Sequence, residues 1–188
     1  MKESHDKPHR SDLRKGRVSL VDQAYFITKC LGCPVLTLPE CAEILIGSFM
    51  WARNNYWWRI LGFIIMPNHY HLLVGLGETK SLSEAMYSVD RYTASRINRF
   101  LGRQGNLWEE GFYDHAIRDR RDFDDILDYF HNNPLEAGLI ESMDAWPYST
   151  ANAKYADEID WEWLGISTPN AIVARHRFDR DAIPMRYR

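Results

Sequence analysis

Several things are scarce in this sequence. Its three cysteines, Cys30, Cys33 and Cys41, cannot all pair with one another, which argues against a disulfide-stapled scaffold and suits a reducing cytosol. No apolar run approaches the roughly 20 residues that a membrane helix needs. The opening Met1-Lys2-Glu3-Ser4-His5-Asp6 has none of the character of a signal peptide. A soluble, cytoplasmic protein with no membrane partner is expected. Repeats and low-complexity tracts are missing too, which sets aside solenoids and linker-like chains. A basic balance is also absent: the net charge of −3 does not by itself announce a nucleic-acid binder.

What is present is a hydrophobic fraction of 45% with 13% aromatics over 188 residues. That suffices for one domain with a real core and is short for two. The expected organisation is a polar N-terminal arm over 1–20, a single catalytic domain over 21–150 and a C-terminal extension over 151–188. Charge is unevenly spread. Seven arginines fall between Arg91 and Arg121 (Arg91, Arg96, Arg99, Arg103, Arg118, Arg120, Arg121) against four acids, Glu109, Glu110, Asp114 and Asp119. Such a window reads as an ordinary solvated surface or as a face that meets phosphates.

The chain reads as alternating strands and helices. Ala24–Thr28 has the β-branched and aromatic content of a strand, and Leu38-Pro39-Glu40 opens a helix that runs towards Asn54. Tyr56–Ile65 and His69–Leu76 are two further strands, joined through Met66-Pro67-Asn68 as a hairpin. Ser81-Leu82-Ser83-Glu84 resembles a capping start for a helix through Phe100, which Gly102 can end. A strand centred on Phe112–Ile117 follows, and then a helix from Asp122 that Asn133-Pro134 disrupts or ends. The order βαββαβ predicts an α+β, ferredoxin-like antiparallel sheet with helices on one face, plus an appended C-terminal helix. That fold hosts many functions.

Two segments carry possible chemistry. His69 and His71 stand two apart on a strand, so both imidazoles point to one face and can clasp a divalent metal. The commoner reading of His-x-His is a pair of hydrogen-bonded histidines on a half-exposed sheet. On the last helix, Phe123, Ile126, Leu127 and Phe130 form an apolar stripe at about 100° per residue. Tyr129 lies at its edge, and Asn133, four residues on, projects from the same side. His131 falls roughly 160° away and does not share that side. By spacing alone, Tyr129 reads most simply as a packing residue with a wet hydroxyl. Cys30-Leu31-Gly32-Cys33 has zinc-knuckle spacing, but only Cys41 is an obvious third ligand.

Taken together the motifs become specific. Met66-Pro67-Asn68-His69-Tyr70-His71-Leu72-Leu73-Val74 resembles the metal-binding strand of the His-hydrophobic-His single-tyrosine transposases. Gly105-Asn106-Leu107-Trp108, Phe112-Tyr113-Asp114-His115-Ala116-Ile117-Arg118, Tyr129-Phe130-His131-Asn132-Asn133-Pro134 with Ala137-Gly138-Leu139, and Trp146-Pro147-Tyr148-Ser149 follow in the order of the REP-associated tyrosine transposases. The match spans about Tyr25 to Thr150. Phe130 and Tyr70 are larger than the usual residues at their positions, and neither change removes a functional group.

The resemblance implies that His69 and His71 bind Mg²⁺ or Mn²⁺, that Tyr129 is the nucleophile, and that Asn133 is a polar third ligand. It implies nicking and rejoining of single-stranded DNA at hairpin repeats of the repetitive extragenic palindrome type, by a monomer or a homodimer. The alternative is a domesticated hairpin-binding protein with little or no cleavage activity. Arg91, Arg96, Arg99, Arg103, Arg118, Arg120 and Arg121 are candidates for phosphate contacts. Trp108 and Tyr113 offer rings on which bases could stack, although Trp108 reads equally as a core anchor. Histidine-triad hydrolases and two-histidine phosphoesterases need His, or Ser or Thr, where this chain has Leu73, and are set aside.

Overall fold

A computed structural model describes residues 19–142 and 145–164. Its elements run β1 (Ala24–Cys30), α1 (Pro39–Asn54), β2 (Trp58–Met66), β3 (His69–Leu76), α2 (Leu82–Phe100), β4 (Tyr113–Ala116) and α3 (Arg120–Glu136). Two short 3-10 turns, Ala153–Glu158 and Trp161–Leu164, follow. The four strands form one sheet in the order β2-β3-β1-β4, and every pairing is antiparallel. This is the ferredoxin-like arrangement that the element order predicts.

Local sequence accounts for most boundaries. Pro39 sits in the first turn of α1, where its missing N–H costs nothing. Ser81 and Glu84 cap α2 reciprocally as a capping box. Gly102, just past that helix, takes a φ of +62°, which costs a glycine little. Three expectations shift. The second strand begins at Trp58 rather than Tyr56, because Tyr56 itself turns the chain with a φ of +59°. α3 begins at Arg120, since Asp119 rather than Asp122 supplies the N-cap: its side chain accepts from the Asp122 N–H at 2.9 Å. The helix also continues through Pro134 to Glu136. A proline this close to a C-terminus forfeits one backbone hydrogen bond and leaves the remaining turn, closed by Ala137 N–H to the Asn133 carbonyl at 3.0 Å, intact.

The sheet separates two cores. Tyr25, Ile27, Tyr70, Leu72 and Val74 face α1 and α2. Phe26, Ile64 and Leu73 face α3, where they meet Phe123, Ile126 and Leu127. Phe123, Ile126 and Leu127 of the apolar stripe expected on the last helix therefore dock on the sheet. A bulge in β2 between Ile60 and Gly62 inserts an extra residue, which reverses the alternation and turns Ile64 and Met66 towards α3. Among the described residues no helix is long and apolar enough to cross a membrane.

Packing continues past residue 150. The chain from Trp146 to Asp160 runs along the outer edge of β2 and satisfies its backbone: Ile65 N–H donates to the Tyr148 carbonyl (2.9 Å), Thr150 N–H to the Phe63 carbonyl (3.0 Å) and Asp160 N–H to the Ile60 carbonyl (2.8 Å). Asp160 also accepts from the Ile60 N–H at 2.7 Å while Arg53 holds its carboxylate at 2.9 and 3.0 Å. An edge strand is thus covered. Asp160→Ala leaves the Ile60 N–H and the Arg53 guanidinium without that acceptor. It is expected to lower stability by about 1–3 kcal/mol, read as a shift of the urea midpoint at unchanged m-value; a loss below about 0.5 kcal/mol would show that the clasp is dispensable.

Candidate active site

The site is assembled from β1, β3 and α3. The β1–β3 register sets Thr28 opposite His71 and Cys30 opposite His69, and directly opposed residues on an antiparallel pair share a face. Tyr70 points the other way, into the α1–α2 core, where its ring meets Phe49 and Trp108. Both histidines face α3. Met66 and His69 close the hairpin through Pro67-Asn68, whose carbonyls accept from Leu36 N–H at 3.0 Å and Leu31 N–H at 2.9 Å. The turn that carries His69 is therefore tied down from outside the hairpin.

α3 brings Tyr129 and Asn133 over the pair. The imidazole rings of His69 and His71 are 4.9 Å apart, and the Tyr129 ring is 5.4 Å from that of His71. Asn133 Nδ2 lies 3.1 Å from His71 Nε2, and the Asn133 side chain also hydrogen-bonds the Tyr129 hydroxyl. His71 Nδ1 is 2.9 Å from Thr28 Oγ1, and His69 Nδ1 is 2.9 Å from Asn68 Oδ1. Phe26 stacks on His71 at 5.2 Å and 22°, and meets Tyr129 edge-on at 6.2 Å. All four residues singled out from the sequence thus converge within one chain. His131 does not join them: its Nε2 lies 3.4 Å from Thr150 Oγ1, against the segment along β2.

Electrostatics follow from burial. His71 is buried, and its pKa is driven well below the usual histidine value, by desolvation first and then by the neighbouring His69. Burial also lowers the His69 pKa. Both rings are therefore neutral near pH 7, the form that can ligate a metal. Burial pushes the Tyr129 hydroxyl up; the bond from Asn133 pulls it down, and the charges of Glu136 and Cys30 push it up further. The net effect is upward, so the protein's own groups do not yield a tyrosinate. Two neutral imidazoles and a side-chain amide suit a divalent cation. Among the described residues no group of three or more His, Cys, Asp or Glu side chains is placed to hold a metal.

The arginines divide between the two sides of the sheet. Arg91, Arg96 and Arg99 are exposed on α2, across the sheet from the histidines, with Arg96 5.9 Å from the Tyr92 ring. Arg103 donates to Cys33 Sγ at 2.8 Å. Arg118 and Arg120 pair with Asp122 and Asp124 at the start of α3, and Arg121 is exposed there. Trp108 works as an anchor: its indole N–H donates to Thr93 Oγ1 at 3.0 Å and its ring packs on Tyr70. Tyr113 is 54% exposed and sits opposite Thr28, on the histidine face.

Sequence reasoning passed over Phe26, Thr28 and Asn68. Asn68 had a signal, being next to His69. The other two depend on strand register, which the chain does not display.

With this geometry in place, comparison decides the family. The family described as IS200-like transposases matches residues 35–133, a span that holds His69, His71, Tyr129 and Asn133. The chain belongs to the IS200-like transposases. A protein of Haemophilus influenzae described as a REP-associated tyrosine transposase is 30% identical over 128 residues, 61% of this chain and 73% of that one. The REP-associated tyrosine transposase of Escherichia coli is 27% identical over 122 residues, 63% of this transposase and 72% of its own length. A solved structure of a REP-associated tyrosine transposase bound to a REP hairpin shares the fold, with a TM-score of 0.61 at 23% identity over 71% of this chain and 79% of that one.

The helix that carries Tyr129 is locked to the sheet through one carboxylate. Burial pushes Asp122 up, but hydrogen bonds from His115 (2.8 Å) and from the Arg118 side chain and backbone outweigh it and hold the carboxyl at about 2. A depressed folded pKa means stability that is present above the ordinary value near 3.8 and lost as pH falls towards 2. The transposase is expected to lose about 1–2 kcal/mol between pH 5 and pH 2.5 through this group. Asp122→Asn should be less stable at pH 5 and should lack that part of the acid limb in urea titrations; an unchanged limb would rule the lock out.

Proposed function

We propose that this transposase nicks and rejoins single-stranded DNA beside hairpin repeats, through a covalent link between Tyr129 and a 5′ phosphate. The observation that carries the reading is the convergence of Tyr129 and Asn133 on the neutral His69–His71 pair. Support for the substrate comes from the relatives, REP-associated tyrosine transposases, one of them solved with a REP hairpin.

His69, His71 and, once its amide turns to present the oxygen in place of the nitrogen that now faces His71, Asn133 would hold Mg²⁺ or Mn²⁺. Such an ion, when bound, offsets charge that builds on the scissile phosphate and favours the tyrosinate. The chain's own groups do the rest. Tyr129 contributes the attacking oxygen: its bond to phosphorus forms as the bond from phosphorus to the 3′ oxygen breaks, and the phenolic proton ends on that 3′ oxygen. A 5′-phosphotyrosine and a free 3′ hydroxyl result. Attack by a second 3′ hydroxyl reverses the step, returns the proton to Tyr129 and joins strands without ATP. Phe26 and the α3 core hold the ring in place, so the chemistry starts from a positioned nucleophile. Every group involved comes from one chain, so a monomer has a complete site. The exposed arginines at Arg91, Arg96, Arg99 and Arg121 are suited to phosphates.

The test is covalent capture. A labelled single-stranded hairpin oligonucleotide with a short flank, incubated with Mn²⁺ or Mg²⁺, should give a denaturation-resistant adduct with the wild type. Tyr129→Phe should give none while still retaining the hairpin in a mobility-shift assay, and EDTA should abolish the adduct. His69→Ala and His71→Ala should each lower its rate on the order of 100-fold. An adduct that survives Tyr129→Phe would transfer the role to another hydroxyl, with Tyr113 next in line; hairpin binding without any adduct would favour a domesticated binder. Mn²⁺ is expected to outperform Mg²⁺ at this imidazole-rich site, and a clearly higher saturating rate with Mg²⁺ would contradict that.

A further inference from the structure

We infer that Thr28 is a positioning residue that holds His71 as its Nδ1–H tautomer and so directs the Nε2 lone pair towards Asn133 and Tyr129. The argument starts from the other end of the ring. Asn133 Nδ2 is 3.1 Å from His71 Nε2, and an amide nitrogen only donates. Nε2 therefore accepts, and in a neutral imidazole the proton then resides on Nδ1. Nδ1 lies 2.9 Å from Thr28 Oγ1, which takes that proton as an acceptor.

His69 repeats the arrangement independently. Its Nδ1 lies 2.9 Å from Asn68 Oδ1, a carbonyl oxygen that can only accept, so its Nε2 lone pair is spared too. The two histidines thus offer the same nitrogen, each set by a different outer residue. Phe26, stacked on His71 at 5.2 Å, resists rotation of the buried ring. A threonine hydroxyl can also donate, and a donation to Nδ1 would place the proton on Nε2, against the Asn133 amide. With the Asn133 amide nitrogen facing Nε2, only the first arrangement satisfies both contacts. Outer partners of this kind commonly fix ligand tautomers at metal sites. The consequence for metal capture rests on the proposed function, whereas the tautomer itself does not.

The test reads the ring directly. Long-range nitrogen–proton NMR on metal-free protein with labelled histidine should show His71 as the Nδ1–H form. Thr28→Val removes the acceptor at similar volume. It should move His71 to the Nε2–H form or a mixture while His69 keeps its pattern, and it should weaken Mn²⁺ binding, measured by calorimetry, about 10–100-fold. Thr28→Ser should restore both readings. An Nε2–H His71 in the wild type, or an unaltered His71 pattern in a folded Thr28→Val, would overturn the assignment. If Thr28→Val does not fold, the wild-type and Thr28→Ser spectra decide: both must show the Nδ1–H form. A tautomer shift in Thr28→Val, together with a wild type that binds no Mn²⁺, would refute the metal reading and leave the role of Thr28 standing.

Discussion

Antiparallel pairing of β1 with β3, in the register that sets Thr28 against His71, governs the rest of the site. A slip of one residue would turn Tyr70 towards α3 and bury both imidazoles among the α1–α2 hydrophobics. The observed register also gives each histidine its own neighbour, a hydroxyl for His71 and, through the turn, an amide oxygen for His69. Pairing is held on both sides of β3, by β1 and by β2, so the two histidines stand on a central strand rather than on a loop. The site that the proposed function requires, with a phosphate and a tyrosine oriented within fractions of an ångström, would benefit from such a base.

The second constraint is burial. Placing His71 beneath α3 removes it from water and keeps it neutral, ready to ligate, but the same enclosure pushes the Tyr129 hydroxyl up. Under the proposed function, the burial that keeps the imidazoles neutral would make Tyr129 a poorer nucleophile, and a bound cation would reconcile the two. Asp122 completes the arrangement by tying the start of α3 to β4 through His115. The helix that carries Tyr129 is thus fixed at its N-terminal end by charge and along its length by Phe123, Ile126 and Leu127.

Elements were legible where local chemistry is strong. The Pro39 start, the Ser81–Glu84 capping box and the tight Pro67-Asn68 connection are short-range effects that appear in the chain as plainly as in the fold. Boundaries at Asp119 and Glu136 were less legible, because a neighbouring aspartate competed for the cap and a proline near a helix end does little damage. The division of the arginines was not legible. Proximity in sequence from Arg91 to Arg121 left open both an ordinary solvated surface and one face that meets phosphates, whereas α2 and the start of α3 lie on opposite sides of the sheet. Trp108 likewise turned inward once Thr93 was available to accept from its indole N–H.

By itself the sequence determined which residues could carry chemistry: the two-residue spacing of His69 and His71 guarantees a shared face on any strand, and the four-residue spacing of Tyr129 and Asn133 guarantees a shared side on any helix. Only the tertiary structure decided that these two faces meet, that His71 is the enclosed member of the pair, and that Phe26 and Thr28 flank its ring. The reason is physical. Periodicity is a property of one element, whereas register and docking depend on contacts between residues far apart in the chain, such as Thr28 with His71 and Asn133 with His71.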